Sequence, residues 1–292
     1  MITRFLSFSI LFLGVTSAQA KIHVVDDTGK QIVLNTPAER IVSLAPHLTE
    51  LLFSVGVGSR IVGTVRFSDF PVAAQQIPVL GDAFAVSLES IVALEPDLVV
   101  AWHSGGASNV IKKLRALKIP VYVNEATDLK SIGQSVRKLG RLVGEGERGA
   151  ELDLTFVNQL EELRNSNIGV AKSVFFQISD QSLYTVNDSH LIGQAMTICG
   201  VENIYGASDI SIPIVSKESV LIADPDVIII SQPVVGKKSH WVEKWSEIEG
   251  FGPKVRLIDP ALISRPSMRM LEGIKELCRL VSITASLKGE SS

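Results

Sequence analysis

Short apolar runs alternate with helix-period segments along most of the chain. Arg40-Ile-Val-Ser-Leu44 reads as a strand, Thr49 to Val55 as a helix, Ile61 to Val65 as a strand, Leu88 to Leu94 as a helix and Leu98-Val-Val-Ala101 as a strand. The second half repeats the alternation. Its strands are expected at Ser173 to Ile178, Val227 to Ile230 and Val255 to Ile258, and its helices near Leu191 to Cys199, Lys217 to Ala223 and Met268 to Val281. Apolar strands joined through helices predict parallel sheets covered on both faces. Between the halves, Leu152, Phe156, Leu160 and Leu163 recur at helical spacing, with Glu161 and Glu162 on another face. One long helix over 144–167 would span roughly 30 Å at 1.5 Å per residue, enough to join two lobes stiffly or to lie along the periphery of one. The expected fold is α/β, with two Rossmann-like lobes (21–143 and 168–292) joined by that helix.

An internal echo supports two related lobes. Ser87-Leu-Glu89-Ser-Ile-Val-Ala-Leu-Glu95-Pro96-Asp97-Leu-Val-Val matches Ser216-Lys-Glu218-Ser-Val-Leu-Ile-Ala-Asp224-Pro225-Asp226-Val-Ile-Ile in its first glutamate, its proline and the following aspartate. Proline after a helix and a β-branched run after Pro-Asp account for the shared stop-and-strand signal. Ser87 and Ser216 read as N-caps, which puts Glu89 and Glu218 in the first turn of equivalent helices. Such carboxylates complement the helix dipole. That effect does not explain the same acid at the same offset in both halves. Matched acids can also seat on matched arginines of a two-fold partner.

Composition changes the picture mainly at the N-terminus. Arg4 precedes an apolar run from Phe5 to Val15 and then Ala18-Gln19-Ala20, the pattern of a cleaved signal peptide over 1–20; the alternative is a short membrane anchor. With no cysteine after that run, the mature chain is expected to be soluble and exported, in a Gram-negative periplasm. The 28 basic and 31 acidic residues give no excess of charge to attract nucleic acid or an anionic membrane. Cys199 and Cys278 are the two cysteines; in an oxidising compartment they form one disulfide or remain as two buried thiols. Neither has the spacing of a metal site.

No motif for catalysis is present: no phosphate-cradling Gly-rich loop, no nucleophile elbow and no zinc spacing. An enzyme would need a dispersed site. Aromatics instead cluster on loops after strands, at Phe67-Ser-Asp-Phe70-Pro71, Phe84 and Trp102-His103-Ser-Gly-Gly106. Ligands of open parallel sheets sit beyond the carboxyl ends of the strands, and pockets for large flat ligands are lined by aromatics. His47 and His103 also follow strands, where a neutral imidazole could ligate cobalt, haem iron or zinc or simply bond a loop. Two histidines are too few for a zinc receptor.

Taken together, these residues resemble the substrate-binding proteins with a rigid linking helix (the class III, helical-backbone type) that serve cobalamin, haem and siderophore importers, and within them the cobalamin binders. The likeness runs through Arg40-Ile-Val-Ser-Leu-Ala-Pro46 with Thr49-Glu50, Phe67-Ser-Asp-Phe-Pro71, Glu89 to Trp102, Cys199-Gly-Val-Glu-Asn203, Val215-Ser-Lys-Glu218 and Ser264-Arg-Pro-Ser-Met-Arg269. It implies a monomeric, non-enzymatic receptor that holds cobalamin as transported ligand, with haem or a ferric siderophore as the alternative. It also implies delivery to an ABC permease dimer with its ATPase. By resemblance, Phe67, Trp102, Tyr184 and Arg265 surround the ligand, with Phe84, next to a ring that is lost here, as its replacement; Glu89 and Glu218 dock on the permease, and Cys199 pairs with Cys278. Ala83 and Ile212 stand where cobalamin binders place tryptophans, and the loop from Asp259 to Ser264 departs from theirs.

Overall fold

The structure is a computed structural model that describes residues 21–82, 84–166, 172–179, 181–232 and 239–283. The expected leader (1–20), the ends of the expected linker and second lobe, and Ala83 fall outside them. The first described elements form an antiparallel hairpin, β1 (Ile22–Val25) and β2 (Gln31–Leu34). The first lobe continues with β3 (Ile41–Ser43), α1 (Pro46–Ser54), β4 (Ile61–Gly63), a small hairpin of β5 (Gly81–Asp82) and β6 (Ala85–Val86), α2 (Leu88–Val92), β7 (Leu98–Trp102), α3 (Ser108–Ala116), β8 (Val121–Asn124) and α4 (Leu129–Leu142). After α5 (Gly146–Ser166) come β9 (Ser173–Gln177), α6 (Leu191–Ile198), β10 (Glu202–Asn203), α7 (Lys217–Ala223), β11 (Val227–Ser231), α8 (His240–Ser246), β12 (Val255–Ile258), α9 (Pro260–Ile263) and α10 (Met270–Ser282).

The two lobes are copies in topology. The first sheet has the order β4-β3-β7-β8 and the second β10-β9-β11-β12, both wholly parallel. Position by position these are the same arrangement. The echoed segments carry it: Ser87 and Ser216 cap α2 and α7 by accepting the amides of Ser90 (3.2 Å) and Ser219 (3.1 Å). Glu95 and Asp224, each before its proline, turn into the left-handed region at φ +46° and +43°. The aspartate after each proline then anchors the first strand of its own sheet. Asp97 accepts the amides of Glu39 (2.8 Å) and Arg40 (3.0 Å), and Asp226 accepts the amide of Ser173 (2.8 Å). The motif therefore clamps helix, turn and neighbouring strand together, once per lobe.

Within the apolar strands, alternate residues serve different cores. Ile41, Leu98 and Val100 face one cluster, while Val42, Val99 and Ala101 face a second made only of first-lobe residues. Likewise Val174, Phe176, Val227 and Ile229 face the first cluster, and Phe175, Ile228 and Ile230 face a third, built with Trp241, Trp245 and Phe251. The first cluster is shared. It runs from the first sheet through α4 and α5 (Phe156, Leu160) to α6 and α10, so the two lobes do not have wholly separate cores. The cause is the close pairing of α4 with α5: a Cβ on Gly140 would come within 3.0 Å of the Cα of Gly149, so bare backbones meet there. The junction is consequently a packed layer as well as a rod. Helix α1 begins earlier than the apolar period suggests because Pro46 occupies its first turn, where the missing N–H costs nothing. Among the described residues no helix is long and apolar enough to cross a membrane.

Candidate functional site

A cleft of about 570 Å³ opens between the lobes, within the roughly 300–1,000 Å³ range of small-molecule sites. Its first-lobe wall is Trp102, the last residue of β7, with Ser104 and the Glu125–Thr127 segment that follows β8. The second-lobe wall is Ile178, just after β9, with His190 and Ile192 at the start of α6, Ser211, Ile212, and Ile263, Ser264 and Pro266 beyond β12. Both walls are thus carboxyl-end loops of parallel strands, as the topology requires.

The sequence places the aromatics by leaving glycines under them. A Cβ on Gly105 would come within 2.6 Å of the Trp102 ring, and one on Gly106 would collide with Phe84, so Gly105-Gly106 lets two rings lie against one loop. The Trp102 ring is met edge-on by His47 at 5.6 Å. Phe84 is itself exposed, as is Phe67, which holds φ +67°, uncommon for a bulky residue. Beneath the Phe67 loop lies a buried hydroxyl network in which Thr49 donates to Ser43 (2.9 Å), Thr64 donates to Ser68 (2.8 Å) and Thr49 and Thr64 are bonded at 3.0 Å. Tyr184 is half-buried in the second lobe, bridged to Ile214, and neither it nor Phe67 or Phe84 is among the residues walling the cleft. Of the five aromatic and basic residues singled out from the sequence, Trp102 alone lines it. Ile212, the position without the tryptophan, lines it too.

Arg265 is flanked by wall residues Ser264 and Pro266, but its guanidinium turns to the first lobe. It donates to Glu50 Oε1 at 2.9 Å and Asp69 Oδ1 at 2.6 Å. Burial works against its charge, yet these hydrogen bonds prevail and raise its pKa further, while Asp69 is lowered by the same pairing despite partial burial.

Of the two roles that the sequence leaves open for His47 and His103, ligand or simply bonded histidine, neither residue takes the first at the cleft wall. His47 is buried rather than cleft-facing, and its pKa falls to about 4 because burial, helped by the nearby Arg265 charge, outweighs its hydrogen bond to Asn124. The Nδ2 of Asn124 donates to Asp27 (2.9 Å), which turns Oδ1 toward His47 Nε2 at 3.1 Å. Nε2 therefore carries the proton. His103 is exposed and lies outside the cleft wall. The histidine that does line the cleft is His190, which the sequence reading missed. Its Nδ1 accepts the amide of Ile192 at 3.1 Å, so the neutral ring presents Nε2–H as a donor, and burial lowers its pKa. Its signal, a polar residue capping an apolar helix after a strand region, was available but not distinctive. Among the described residues no cluster of His, Cys, Asp and Glu is arranged to hold a metal ion.

Away from the cleft, Cys199 at the end of α6 is disulfide-bonded to Cys278 in α10, as the resemblance implied. Glu89 and Glu218 are both exposed in the first turns of α2 and α7. Hydrogen bonding to backbone, and the Ser87 hydroxyl at 2.8 Å, hold the Glu89 carboxyl below the usual range.

Known proteins share this architecture. A vitamin B12-binding protein of Vibrio campbellii is 32% identical over 246 residues, covering 84% of this chain and 90% of the relative. The crystal structure of the periplasmic vitamin B12 binding protein BtuF of Vibrio cholerae superposes with a TM-score of 0.75 at 28% identity, covering 84% of this chain and 97% of that one. The periplasmic heme-binding protein RhuT from Roseiflexus sp. RS-1 gives a TM-score of 0.73 at 21% identity, a likeness of fold alone, covering 84% of this chain and 98% of that one. The family model for periplasmic binding proteins matches residues 41–245, and with the repeated sheet order and the interlobe cleft this establishes that the chain belongs to the periplasmic binding protein family.

Proposed function

We propose that this protein is the periplasmic receptor of an ABC importer, capturing cobalamin or a related corrinoid between its lobes and delivering it to a permease with its ATPase. One observation carries the ligand assignment: the likeness to a vitamin B12-binding protein, at 32% identity, extends over 84% of this chain and 90% of that relative. In this reading residues 1–20 direct export, 21–143 and 168–292 form the lobes, and Phe67, Phe84, Trp102, Tyr184 and Arg265 approach the ligand as closure brings their loops inward. Closure should be small, because α5 and the shared core resist a wide hinge. Glu89 and Glu218, exposed on matched helices, are the permease-docking residues. No catalytic step is assigned, so ligands should be recovered unmodified.

Haem is the competing ligand. Ligation of its iron by His190, the histidine of the cleft wall, is disfavoured because its Nδ1 accepts the Ile192 amide and its Nε2 carries the proton, and His47 is buried with Nε2 donating to Asn124. Calorimetry of the mature protein with cyanocobalamin, haemin and a ferric siderophore tests the assignment. Tight binding of cyanocobalamin is expected; no heat with it but tight haemin binding would reject the cobalamin reading and leave the fold intact.

A further inference from the structure

Glu50 belongs to α1 of the first lobe and is only 3% exposed, yet among the described residues every hydrogen-bond donor to its carboxylate comes from the second lobe. Arg265 Nη1 reaches Oε1 at 2.9 Å, Ser267 Oγ donates to Oε2 at 2.6 Å, and Arg269 Nη1 approaches Oε1 at 3.4 Å. Arg265 also pairs with Asp69, and the Arg269 guanidinium lies 3.9 Å from the centroid of the Phe70 ring. A single loop of the second lobe, 264–269, is thereby tied to two elements of the first. The cluster holds two cations and two carboxylates, so its charges balance only when the lobes are together.

A buried carboxylate without partners is strongly disfavoured, and breaking such a group by removing one partner costs far more than a surface pair. Parting the lobes here would leave Glu50 in a site where its own lobe supplies no side-chain or backbone donor among the described residues. The loop so held is the one that presents Ser264 and Pro266 to the cleft. We propose that Glu50 is a positioning residue: it draws the 264–269 loop onto the first lobe and so sets the spacing of the cleft walls before ligand arrives. This tether is separate from α5 and the shared core. The proposal rests on the cleft being the ligand site.

The test places nitroxide labels on Lys112→Cys in α3 and Ile222→Cys in α7, both exposed, with the disulfide intact, and measures the interlobe distance by pulsed EPR in ligand-free protein. Glu50→Gln should lengthen and broaden the distance distribution. Asp69→Asn, at the exposed rim, should give a smaller shift in the same direction. The dissociation rate of cyanocobalamin from Glu50→Gln should rise on the order of tenfold, as for loss of one partner of a buried charged pair. A Glu50→Gln protein with native near-UV circular dichroism and unchanged distances overturns the proposal, even if its melting temperature falls. If that variant does not fold, Arg265→Gln and Asp69→Asn carry the measurement, and unchanged distances in both overturn it equally. Should the wild type not bind cyanocobalamin, the ligand reading fails on its own while the distances still decide the role of Glu50.

Discussion

The two lobes agree where their backbones must be held and differ where a ligand or partner must be told apart. Sheet order, serine cap, left-handed turn and anchoring aspartate recur almost unchanged. Their second faces differ: the first lobe packs Val, Ile, Leu and Ala against β3 and β7, whereas the second packs the rings of Phe175, Trp241, Trp245 and Phe251 together. Their cleft loops differ further. The first offers an aromatic on a Gly-Gly platform beside Glu125, and the second offers apolar Ile178, Ile212 and Ile263 with the His190 donor. Constraints on strand pairing are local and identical in each copy, while a cleft that holds an asymmetric molecule has no reason to keep matching walls.

The largest expected effect tests the part of the comparison that is symmetric. Replacing both Glu89 and Glu218 by arginine should abolish uptake of cyanocobalamin in cells while leaving its affinity for the purified protein unchanged, since neither residue walls the cleft. The single variants should each lose uptake to a similar degree. Uptake at the wild-type level in the double variant would remove the docking role, and a large difference between the singles would show that matched helices need not make matched contacts.

A second experiment exploits an asymmetry. The disulfide closes a loop between residues 79 apart and belongs to the second lobe only, the sequence having no other cysteine. Chain-entropy reasoning puts its contribution at about 4 kcal/mol. Cys199→Ala with Cys278→Ala should therefore lower stability by that order in denaturant unfolding, and hydrogen exchange should show protection lost first in α6, α10 and the second sheet. Loss spread evenly over both sheets would mean that the apolar layer shared through α4 and α5 makes the lobes one cooperative unit.

The fold was legible because its signals are local and repeated. Runs such as Leu98 to Trp102 and Val227 to Ser231 announce buried parallel strands, and the Ser-x-Glu and Pro-Asp echo announces the duplication. The shared core was not legible, since the approach of Gly140 to Gly149 depends on two helices meeting at particular faces. The candidate site was only partly so. Trp102 follows a strand and could be picked out, as could Arg265 by resemblance, but its partners Glu50 and Asp69 lie about two hundred residues away in sequence. The role of His47 stays open in the sequence because a position after a strand does not say whether the side chain turns to the cleft or, as here, back to Asn124.

The smallest effect concerns those histidines, which the two lobes place alike at the start of α1 and α6, the helices after their first strands. Both have lowered pKa values, His47 to about 4, and in both burial is the first cause. A histidine that resists protonation when folded contributes stability that is complete above the unfolded pKa of about 6.5, because there neither state binds the proton. As pH falls toward 4 the unfolded chain takes up a proton that folded His47 refuses, and about 3 kcal/mol drains away. His190 adds in the same direction. Denaturant unfolding at pH 7 and pH 4.5 should show His47→Gln, which keeps a donor for Asn124, losing much less stability than wild type over that interval, with His190→Asn intermediate. Parallel losses in all three proteins would mean that the acid sensitivity lies in groups other than these two helix starts, and that their likeness is one of position without a shared consequence.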